Sequence, residues 1–333
     1  MKGLTERKCA RPVTSDGAHL LGGERDEADD HEQHEELLHG SDPNASRGGC
    51  LQASTVRAMK LANVNGRAAL VLADGIADIA AASDGRFDSD PMALFDRWEE
   101  IAAFAATVAR PTGPLVEADL RCPVPAPRQV FAIGLNYRRH AEESGMAIPD
   151  VPATFTKFPA SLSGPFDDIE IVADRIDWEV ELVAVIGKRA DRVAEADAWS
   201  FVAGLTVGQD VSDRALQFAA GGQFSLGKSR RGFGPMGPWV VTIDELDDPD
   251  DLGLGCSVDG ETMQKARTND LVFSVSRLVA ELSSVLPLLP GDVIFTGTPA
   301  GVGAARKPPK FLRAGQVVES WIDGIGTIRN RCV

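Results

Sequence analysis

The chain has 333 residues, enough for one large domain or two ordinary ones, and an apolar content of 44% that is typical of globular proteins. Its formal net charge of -15 repels polyanions, which excludes non-specific attraction to nucleic acid or to anionic lipid. No stretch approaches the roughly 18 consecutive apolar residues of a membrane span and the N-terminus lacks an apolar signal core, so we expect a cytoplasmic protein.

The first 58 residues are rich in acids, glycine and serine and contain few large apolar side chains. Such a composition buries too little apolar surface to offset the entropy lost on ordering, so we predict a disordered acidic tail at residues 1–58. The segment "HEQHEELLH" is similar to a zinc-protease motif, but the step from His34 to His39 is one residue too long. We interpret it as a solvated segment, and Met59 is an alternative natural start.

The five cysteines are scattered along the chain without CxxC spacing. This pattern favours reduced thiols over a disulfide framework or a zinc knot. We therefore assign the cysteines no chemical role.

Residues 59–122 predict a small α+β domain. Asn65 and Gly66 have the sequence of a tight hairpin turn between two apolar runs. Apolar side chains then recur at helical spacing in "MALFDRWEEIAAFAATVA", which predicts a helix within residues 92–109. A proline-rich joint, "RCPVPAPRQ", separates this segment from the rest of the chain.

Residues 123–333 predict a second domain built mostly of short strands. One helix is expected at residues 271–285, and the strands are expected in "VFAIGL", "ELVAVIGK", "FVAGLTVGQDV", "PWVVTI", "LGCSVDG", "DVIFTGTP" and "QVVESWIDGIGTIRN". Strands at this spacing, separated by glycine and proline turns, favour a closed or rolled β architecture over a doubly wound sheet. The predicted fold class is therefore α+β, mostly β.

Two acids in "IDWEVELVAVIGK" point to a metal site. Glu179 and Glu181 are two residues apart in a predicted strand, so both side chains emerge on one face. The continuously apolar residues that follow indicate a buried strand, where an unpaired acid pair is costly. A hard divalent cation explains the pair, and an exposed edge strand with solvated glutamates is the alternative.

Asp210 follows the long apolar run "FVAGLTVGQ" and is well placed at the mouth of a cavity. Three carboxylates, with water and substrate oxygens, complete the octahedral site that Mg²⁺ or Mn²⁺ prefers. Arg214 and Gln217 follow Asp210 at helical positions i+4 and i+7, a face that either binds a carboxylate substrate or is ordinary helix surface. Lys228 lies in a loop of glycine, serine and proline, where its position alone indicates little.

The glycine-rich segment "FTGTPAGVG" at residues 295–303 is not a nucleotide site. No Lys-Ser or Lys-Thr follows it, which excludes a phosphate-binding P-loop. It also lacks the strand, GxGxxG and helix order of a dinucleotide site.

The segment "GLNYRRHAEESG" contains Tyr137, the single tyrosine of the chain, and His140, the single histidine after residue 40. His140 is followed closely by Glu142 and Glu143. Flanking glycines and few apolar anchors are typical of a lid that closes over a site.

In this order, the segments resemble the fumarylacetoacetate hydrolase family over about residues 59–333, most strongly over 129–303. The resemblance implies a mixed β-roll, homodimers, and one Mg²⁺ or Mn²⁺ ion that binds a small 2-oxo acid through its carboxylate and keto oxygens. Family members cleave C–C bonds of acylpyruvates and related 2,4-dioxo acids, and others decarboxylate oxaloacetate, hydrate or isomerise.

The resemblance also implies a role for each matching residue. The catalytic residues would be His140 as general base, Glu143 as the acid that orients it, and Lys228. The substrate-binding residues would be Tyr137, Arg214, Gln217 and Thr298, and the metal ligands Glu179, Glu181 and Asp210. The expected activity is hydrolysis of a carbon-carbon bond in a ketonic substrate, with oxaloacetate decarboxylation, hydration or isomerisation as alternatives on the same scaffold. A catalytically silent protein would be expected to lack one of the acids or the lysine.

Two positions depart from the family pattern. Asn136 stands where larger members have an additional acidic metal ligand, which favours the three-carboxylate site. Arg230, Arg231 and Gly232 stand where many members have an aspartate after the lysine. The expected substrate is therefore an acylpyruvate, a fumarylacetoacetate-like acid, or a 2,4-diketo-3-deoxy sugar acid whose hydroxyls would meet the Arg230 and Arg231 loop.

Overall fold

A computed structural model describes residues 59–219 and 221–333 of the chain. The predicted acidic tail, with its four histidines and two of the cysteines, lies outside the described residues. The helices are α1 Ile79–Ala82, α2 Trp98–Ala105, α3 Arg138–Glu143, α4 Arg214–Ala219 and α5 Val275–Val285. The strands are β1 Lys60–Val64, β2 Arg67–Leu72, β3 Gly75–Asp78, β4 Leu120–Arg121, β5 Val130–Gly134, β6 Ala153–Thr156, β7 Leu162–Ser163, β8 Ile176–Asp177, β9 Val180–Ile186, β10 Val202–Gln209, β11 Ser212–Asp213, β12 Gly234–Val241, β13 Gly253–Val258, β14 Glu261–Arg267, β15 Val293–Phe295, β16 Val317–Ile322 and β17 Gly326–Arg331.

The predicted first hairpin is confirmed. β1 pairs antiparallel with β2, and the two residues between them, Asn65 and Gly66, have φ angles of 50° and 85°. Asparagine and glycine tolerate this left-handed backbone better than other residues, which is why the Asn-Gly pair marked the turn in the sequence.

The central sheet has 11 strands and mixes parallel and antiparallel pairs. Its main path runs β3-β2-β1-β12-β10-β9-β15-β5-β6, with β4 beside β1 and β7 beside β12. β15 is parallel to β5 and antiparallel to β9. A second, antiparallel sheet runs β14-β13-β16-β17, and β8 pairs with β11. The mostly β, α+β fold class predicted from the sequence is confirmed.

β9 occupies the interior of the central sheet, between β10 and β15. Leu182, Ala184 and Ile186 belong to one apolar core, whereas the alternate residues Val183 and Val185 belong to the other. The strand is therefore buried on both faces, which explains its continuous apolar sequence. The alternative of an exposed edge strand is wrong.

Residues 59–122 and 123–333 share the central sheet, because β1 is hydrogen-bonded to β12 at Lys60–Val241 and Leu61–Val240. The division into two domains at residue 122 stays a prediction. The helix predicted within residues 92–109 consists of a 3₁₀ segment, Met92–Arg97, followed by α2. α5 begins after Ser274, whose hydroxyl caps it by accepting the Arg277 N–H at 3.2 Å.

The long run predicted at residues 316–330 is a hairpin of β16 and β17 rather than one strand. β14 was not predicted, because its sequence "ETMQKAR" contains few apolar residues. Across the described ranges, every helix falls short of the length and apolar character needed to cross a bilayer.

Candidate active site

Three buried carboxylates converge at the ends of neighbouring strands. Glu179 precedes β9, Glu181 lies within it, and Asp210 follows β10, its antiparallel neighbour. One oxygen from each carboxylate lies within 4.8 Å of the others. The pairing of β9 with β10 brings Asp210 to the two glutamates, because the Glu179 carbonyl accepts the Asp210 N–H at 2.9 Å. Three hard oxygen donors in this arrangement fit a divalent cation such as Mg²⁺ or Mn²⁺.

The pKa values of Glu179 and Glu181 are shifted in opposite directions by their surroundings. Burial alone would raise the pKa of Glu179, but the nearby charges of Lys228 and Arg214 outweigh it and lower this pKa to about 2. Burial and the negative charges of Asp210 and Glu179 raise the pKa of Glu181. A cation bound among the three carboxylates would favour the anion of Glu181.

Two buried lysines contact the carboxylate cluster. Lys228 Nζ lies 2.5 Å from Glu179 Oε2 and 2.8 Å from Asp210 Oδ2. Lys157 Nζ donates to Asp210 Oδ1 at 2.7 Å, to the Phe233 carbonyl at 3.0 Å and to the Lys228 carbonyl. Lys157 therefore holds both a candidate metal ligand and the backbone of the candidate catalytic lysine.

Burial by itself lowers the pKa of both Lys228 and Lys157, but the net shifts of the two pKa values are opposite. For Lys228 the charges of Asp210 and Glu179 outweigh burial and raise the pKa, whereas for Lys157 burial prevails and the pKa is lowered. Lys228 is accordingly a cation at neutral pH. Its charge lies at the cavity wall, where it is paired with Glu179 and Asp210.

Arg214 and Gln217 lie together beside Glu179. Arg214 Nη2 is 2.6 Å from Glu179 Oε1, and Arg214 Nη1 donates to Gln217 Oε1 at 3.0 Å. The helix predicted to continue from Asp210 is wrong, because Ser212 and Asp213 form strand β11 and α4 begins at Arg214. The two side chains still meet because they are three residues apart in α4.

His140 and Glu143 form the expected pair. They lie one turn apart in α3, with His140 Nδ1 2.8 Å from Glu143 Oε1. Both carboxylate oxygens of Glu143 also accept the Gly301 N–H, at 3.0 Å. The histidine is therefore oriented by an acid that is itself anchored to the glycine-rich loop. This arrangement fixes Nδ1 and leaves Nε2 to exchange a proton.

Gly297 of the glycine-rich loop must be a glycine, because the Asn136 side chain lies too close for a Cβ atom at this position. Gly297, with a φ of 101°, donates its N–H to Glu181 Oε2 at 2.8 Å, and a Cβ here would lie 2.7 Å from Asn136 Cβ. Asn136 is buried, and its amide donates to the Phe273 and Thr296 carbonyls at 3.0 and 2.7 Å. Asn136 therefore has a structural role at the position where larger family members have an acid.

Thr298 is buried next to the start of β9. Its hydroxyl donates to the Val180 carbonyl at 2.9 Å and accepts from Gln264 Nε2 at 2.8 Å. Gln264 Oε1 in turn accepts the Val180 N–H at 3.0 Å. These bonds connect β14, β9 and the glycine-rich loop beside the carboxylate cluster.

Tyr137 is 2% exposed, and its hydroxyl has no hydrogen-bond partner within residues 59–219 and 221–333. Burial, with a contribution from the Glu181 charge, raises the pKa of this phenol. The ring belongs to the apolar core and does not line the cavity described below. The structure thus places Tyr137 near Glu181 but behind the cavity wall.

Arg230 and Arg231 are not brought to the site. Neither lines the cavity, and Arg230 is paired with the buried Asp213, with Nη2 2.8 Å from Oδ2. An influence of this loop on the choice of substrate stays a prediction.

A cavity of about 530 Å³, within the size range of small-molecule sites, is lined by most of the remaining candidates, although Glu181 and Asp210 are not among its lining residues. Of the residues predicted from the sequence, those that line it are His140, Glu143, Glu179, Arg214, Gln217, Lys228 and Thr298. Aromatic side chains form an apolar part of its wall, where Phe224 makes edge contacts with Phe155 and Phe218 at ring-centroid distances of 5.7 and 5.6 Å.

Sequence reasoning missed two charged residues of the site, Lys157 and Asp177. Asp177 is fully buried and pairs with Arg214. It is two residues before Glu179, so the same spacing argument that found the glutamates could have included it. For Lys157 no local signal exists, since a lysine between a strand and a turn is usually solvated.

The family model of the fumarylacetoacetate (FAA) hydrolase C-terminal domain matches residues 129–333. The mitochondrial oxaloacetate tautomerase Fahd2a of Rattus norvegicus is 40% identical over 235 residues, which are 70% of this chain and 75% of the rat protein.

Two solved structures are similar to this chain over nearly the whole of their own length. A Mycobacterium smegmatis protein designated HpcE is 49% identical, with a TM-score of 0.80 over 83% of this chain and 99% of that chain. Maleylpyruvate hydrolase from Sphingobium sp. SYK-6, in complex with manganese(II) ion and pyruvate, is 32% identical, with a TM-score of 0.67 and the same coverage of 83% and 99%.

Proposed function

Because this chain belongs to the fumarylacetoacetate hydrolase family, we propose that it is a divalent-metal-dependent hydrolase that cleaves a C–C bond of a 2,4-dioxo acid. The products are a pyruvate-type 2-oxo acid and a second carboxylic acid. The observation that carries the proposal is that the His140 and Glu143 pair lines the same cavity as Glu179, Arg214 and Lys228.

Glu179, Glu181 and Asp210 would hold Mg²⁺ or Mn²⁺. When bound, the ion supplies Lewis-acid polarisation of the 2-oxo group, which makes the departing carbon a better leaving group. The maleylpyruvate hydrolase structure contains manganese(II) ion and pyruvate, which supports a divalent ion and a 2-oxo acid as ligands here. Arg214 and Gln217 line the cavity next to Glu179 and would orient the substrate carboxylate.

His140 would act as the general base. Glu143 holds Nδ1, so that Nε2 accepts a proton from water as the water oxygen bonds to the C4 carbonyl carbon. The C3–C4 bond then breaks, and its electron pair passes to C3 of the pyruvate fragment. Lys228 would stabilise this charge and deliver a proton to C3, which completes the balance of atoms.

The decisive experiment offers acetylpyruvate to the Mg²⁺-loaded protein and quantifies pyruvate with lactate dehydrogenase and acetate by NMR. The expected result is equimolar pyruvate and acetate, with activity lost in EDTA and restored by added Mn²⁺. Activity that survives thorough chelation would remove the metal from the mechanism. If acetylpyruvate is not cleaved while oxaloacetate rapidly loses CO₂, the protein is a decarboxylase rather than a hydrolase.

The second candidate is oxaloacetate tautomerisation, which the 40% identity to rat Fahd2a favours. That reaction moves a proton between C3 and the 2-oxo oxygen and consumes no water, so His140 or Lys228 would serve as a proton carrier only. Enol-oxaloacetate absorbance that decays faster with the protein, without formation of pyruvate or loss of CO₂, would identify this activity. Homodimers and a cytoplasmic location stay predictions.

A further inference from the structure

Part of the cavity wall is apolar and aromatic. Phe155 and Phe224 are half-buried, and Phe218 is 58% exposed. Partly exposed aromatic side chains at the edge of a cavity are typical of a ligand-binding groove, because a bound ligand completes their burial. The larger apolar residues that line the cavity are Ile133, Leu135, Met146, Phe155, Phe218, Phe224 and Val302.

Phe155, Phe218 and Phe224 form one continuous surface, which we call the aromatic wall. The Phe224 ring meets the other two edge-on, with interplanar angles of 72° to Phe155 and 79° to Phe218. A phenylalanine side chain has neither a hydrogen-bond donor nor a strong acceptor. The aromatic wall therefore favours contact with hydrocarbon, and it cannot replace the hydrogen bonds to water that a hydroxyl or a carboxylate would lose there.

The aromatic wall lies next to the residues proposed to bind the 2-oxo acid end. Phe218 is in α4, four residues after Arg214, so the two side chains lie on the same side of the helix. The Phe224 carbonyl accepts the Lys228 N–H at 3.1 Å, and Lys228 Nζ lies 5.4 Å from the centre of the Phe155 ring. A substrate bound by Arg214 and Lys228 therefore has the aromatic wall beside it.

The cations that line the cavity are engaged by the protein or by solvent. Arg214 and Lys228 are ion-paired with buried acids. Arg306 donates to two backbone carbonyls, at 2.9 and 3.4 Å, and Lys307 is exposed, where hydration stabilises its charge. The aromatic wall, by contrast, keeps apolar surface in contact with water until a ligand covers it.

We propose that the acyl group at C4 of the substrate is an apolar alkyl or aryl group that binds the aromatic wall, and that Phe218 sets this preference. This assignment rests on the proposed function, which places the 2-oxo acid end at the carboxylate cluster and Arg214. A 2,4-diketo-3-deoxy sugar acid fits the aromatic wall poorly, because its hydroxyls would be buried against the rings without hydrogen bonds. The second product of cleavage is then an apolar carboxylic acid rather than a hydroxy acid.

Calorimetric binding to the Mn²⁺-loaded protein tests the proposal with three 2-oxo acids of increasing chain length, 2-oxobutanoate, 2-oxohexanoate and 2-oxooctanoate. These ligands lack the C4 carbonyl and are therefore not cleaved. Affinity should rise by about two- to fourfold for each methylene group that the aromatic wall covers. 2-Oxoadipate has the carbon chain of 2-oxohexanoate with a carboxylate at its end, and it should bind more weakly because that charge must be desolvated.

Phe218→Ala should remove most of the gain in affinity with chain length, and Phe218→Leu should keep most of it. Affinity for oxalate, which has no chain, should be the same in both variants as in the unchanged protein. The ratio of kcat/KM for hexanoylpyruvate to kcat/KM for acetylpyruvate should fall in Phe218→Ala to the same extent. Leu226→Ala is the matched control, because Leu226 is 59% exposed in the neighbouring loop and outside the cavity lining.

Oxalate separates the two ways of failing, because it occupies only the metal-binding end. If oxalate binds normally, the apolar site alone is overturned by affinity that does not rise with chain length, by tighter binding of 2-oxoadipate than of 2-oxohexanoate, or by a rise that Phe218→Ala leaves intact. Oxalate that does not bind the Mn²⁺-loaded protein would instead overturn the proposed 2-oxo acid function, and this proposal with it.

Discussion

Asp177 and Arg214 form a buried ion pair in which guanidinium Nε and Nη2 both lie 2.8 Å from Asp177 Oδ2. The same carboxylate accepts the N–H groups of Gly303 and Ala304, at 2.7 and 2.9 Å. Asp177 does not line the cavity, so it is a positioning residue that connects the cavity arginine to the loop carrying Arg306.

Replacing Asp177 by Asn should raise KM for a 2-oxo acid by about tenfold, with a smaller change in kcat, because Arg214 loses a partner that holds it toward the substrate. The free energy of unfolding should fall by about 1–3 kcal/mol, the range for a buried polar group left without its partner. Steady-state kinetics and urea unfolding measure the two effects. Asp251→Asn, in an exposed pair with Arg267, is the matched control and should change neither. An unchanged KM in Asp177→Asn would show that Arg214 is positioned by Glu179 alone.

Glu181→Gln should abolish metal binding while the fold is retained. The amide oxygen can still accept the Gly297 N–H, but the charge needed by a hard dication is lost. We expect Mn²⁺ affinity, followed by electron paramagnetic resonance, to fall at least about 100-fold, the upper range for residues that merely support a metal ligand. Glu319→Gln, in an exposed pair with Arg329, serves as the control. If Glu181→Gln and Glu319→Gln bind Mn²⁺ with equal affinity, the metal site does not include Glu181.

His140→Asn should lower kcat by about 10²- to 10⁴-fold, the usual contribution of a positioned general base. Mn²⁺ affinity should be unchanged, because the imidazole is not one of the three clustered donors. Arg139→Gln is the matched control, since Arg139 is exposed in the same helix and outside the cavity lining. A fall in kcat of less than about fivefold in His140→Asn would show that another group acts as the general base.

The segment 136–148 should close over the site when a 2-oxo acid binds. It carries His140 and Glu143 into the cavity wall, yet Met146 and Ile148 are 51% and 40% exposed. Closure would cover these apolar groups and exclude water from the reaction. Hydrogen exchange of this segment should slow on addition of oxalate and Mg²⁺, whereas exchange in β16 and β17 should not change. If hydrogen exchange in residues 136–148 is the same with and without ligand, this segment does not close on binding.

The buried cysteines should be inert, in agreement with the absence of any assigned role. Burial raises the pKa of Cys122 and of Cys332 to about 12 and also raises that of Cys256. At pH 8 these thiols are therefore protonated, and thiolate is the reactive form. In a Cys9→Ser, Cys50→Ser variant, a disulfide reagent at pH 8 should titrate thiols only after denaturation. Rapid labelling that also removes activity would contradict this.

The sequence alone was sufficient for the parts of the site that depend on local spacing. Glu179 and Glu181 could be paired because side chains two apart emerge on one face of a strand, and the apolar residues after them required burial. The pairing of His140 with Glu143 came from the family resemblance, and the two side chains meet because they lie three residues apart in helix α3. The hairpin at Asn65 and Gly66 was equally local, since it depends on a backbone conformation that few residues adopt.

Only the tertiary structure decided contacts between distant segments. Lys157 meets Asp210 across 53 positions and Asp177 meets Arg214 across 37, and both contacts depend on strand pairing that no local pattern encodes. The burial of Tyr137 and the exclusion of Arg230 from the cavity were decided in the same way. The pairing of Arg214 and Lys228 with buried acids was likewise decided by the fold, because Coulomb interactions follow distance in space rather than along the chain.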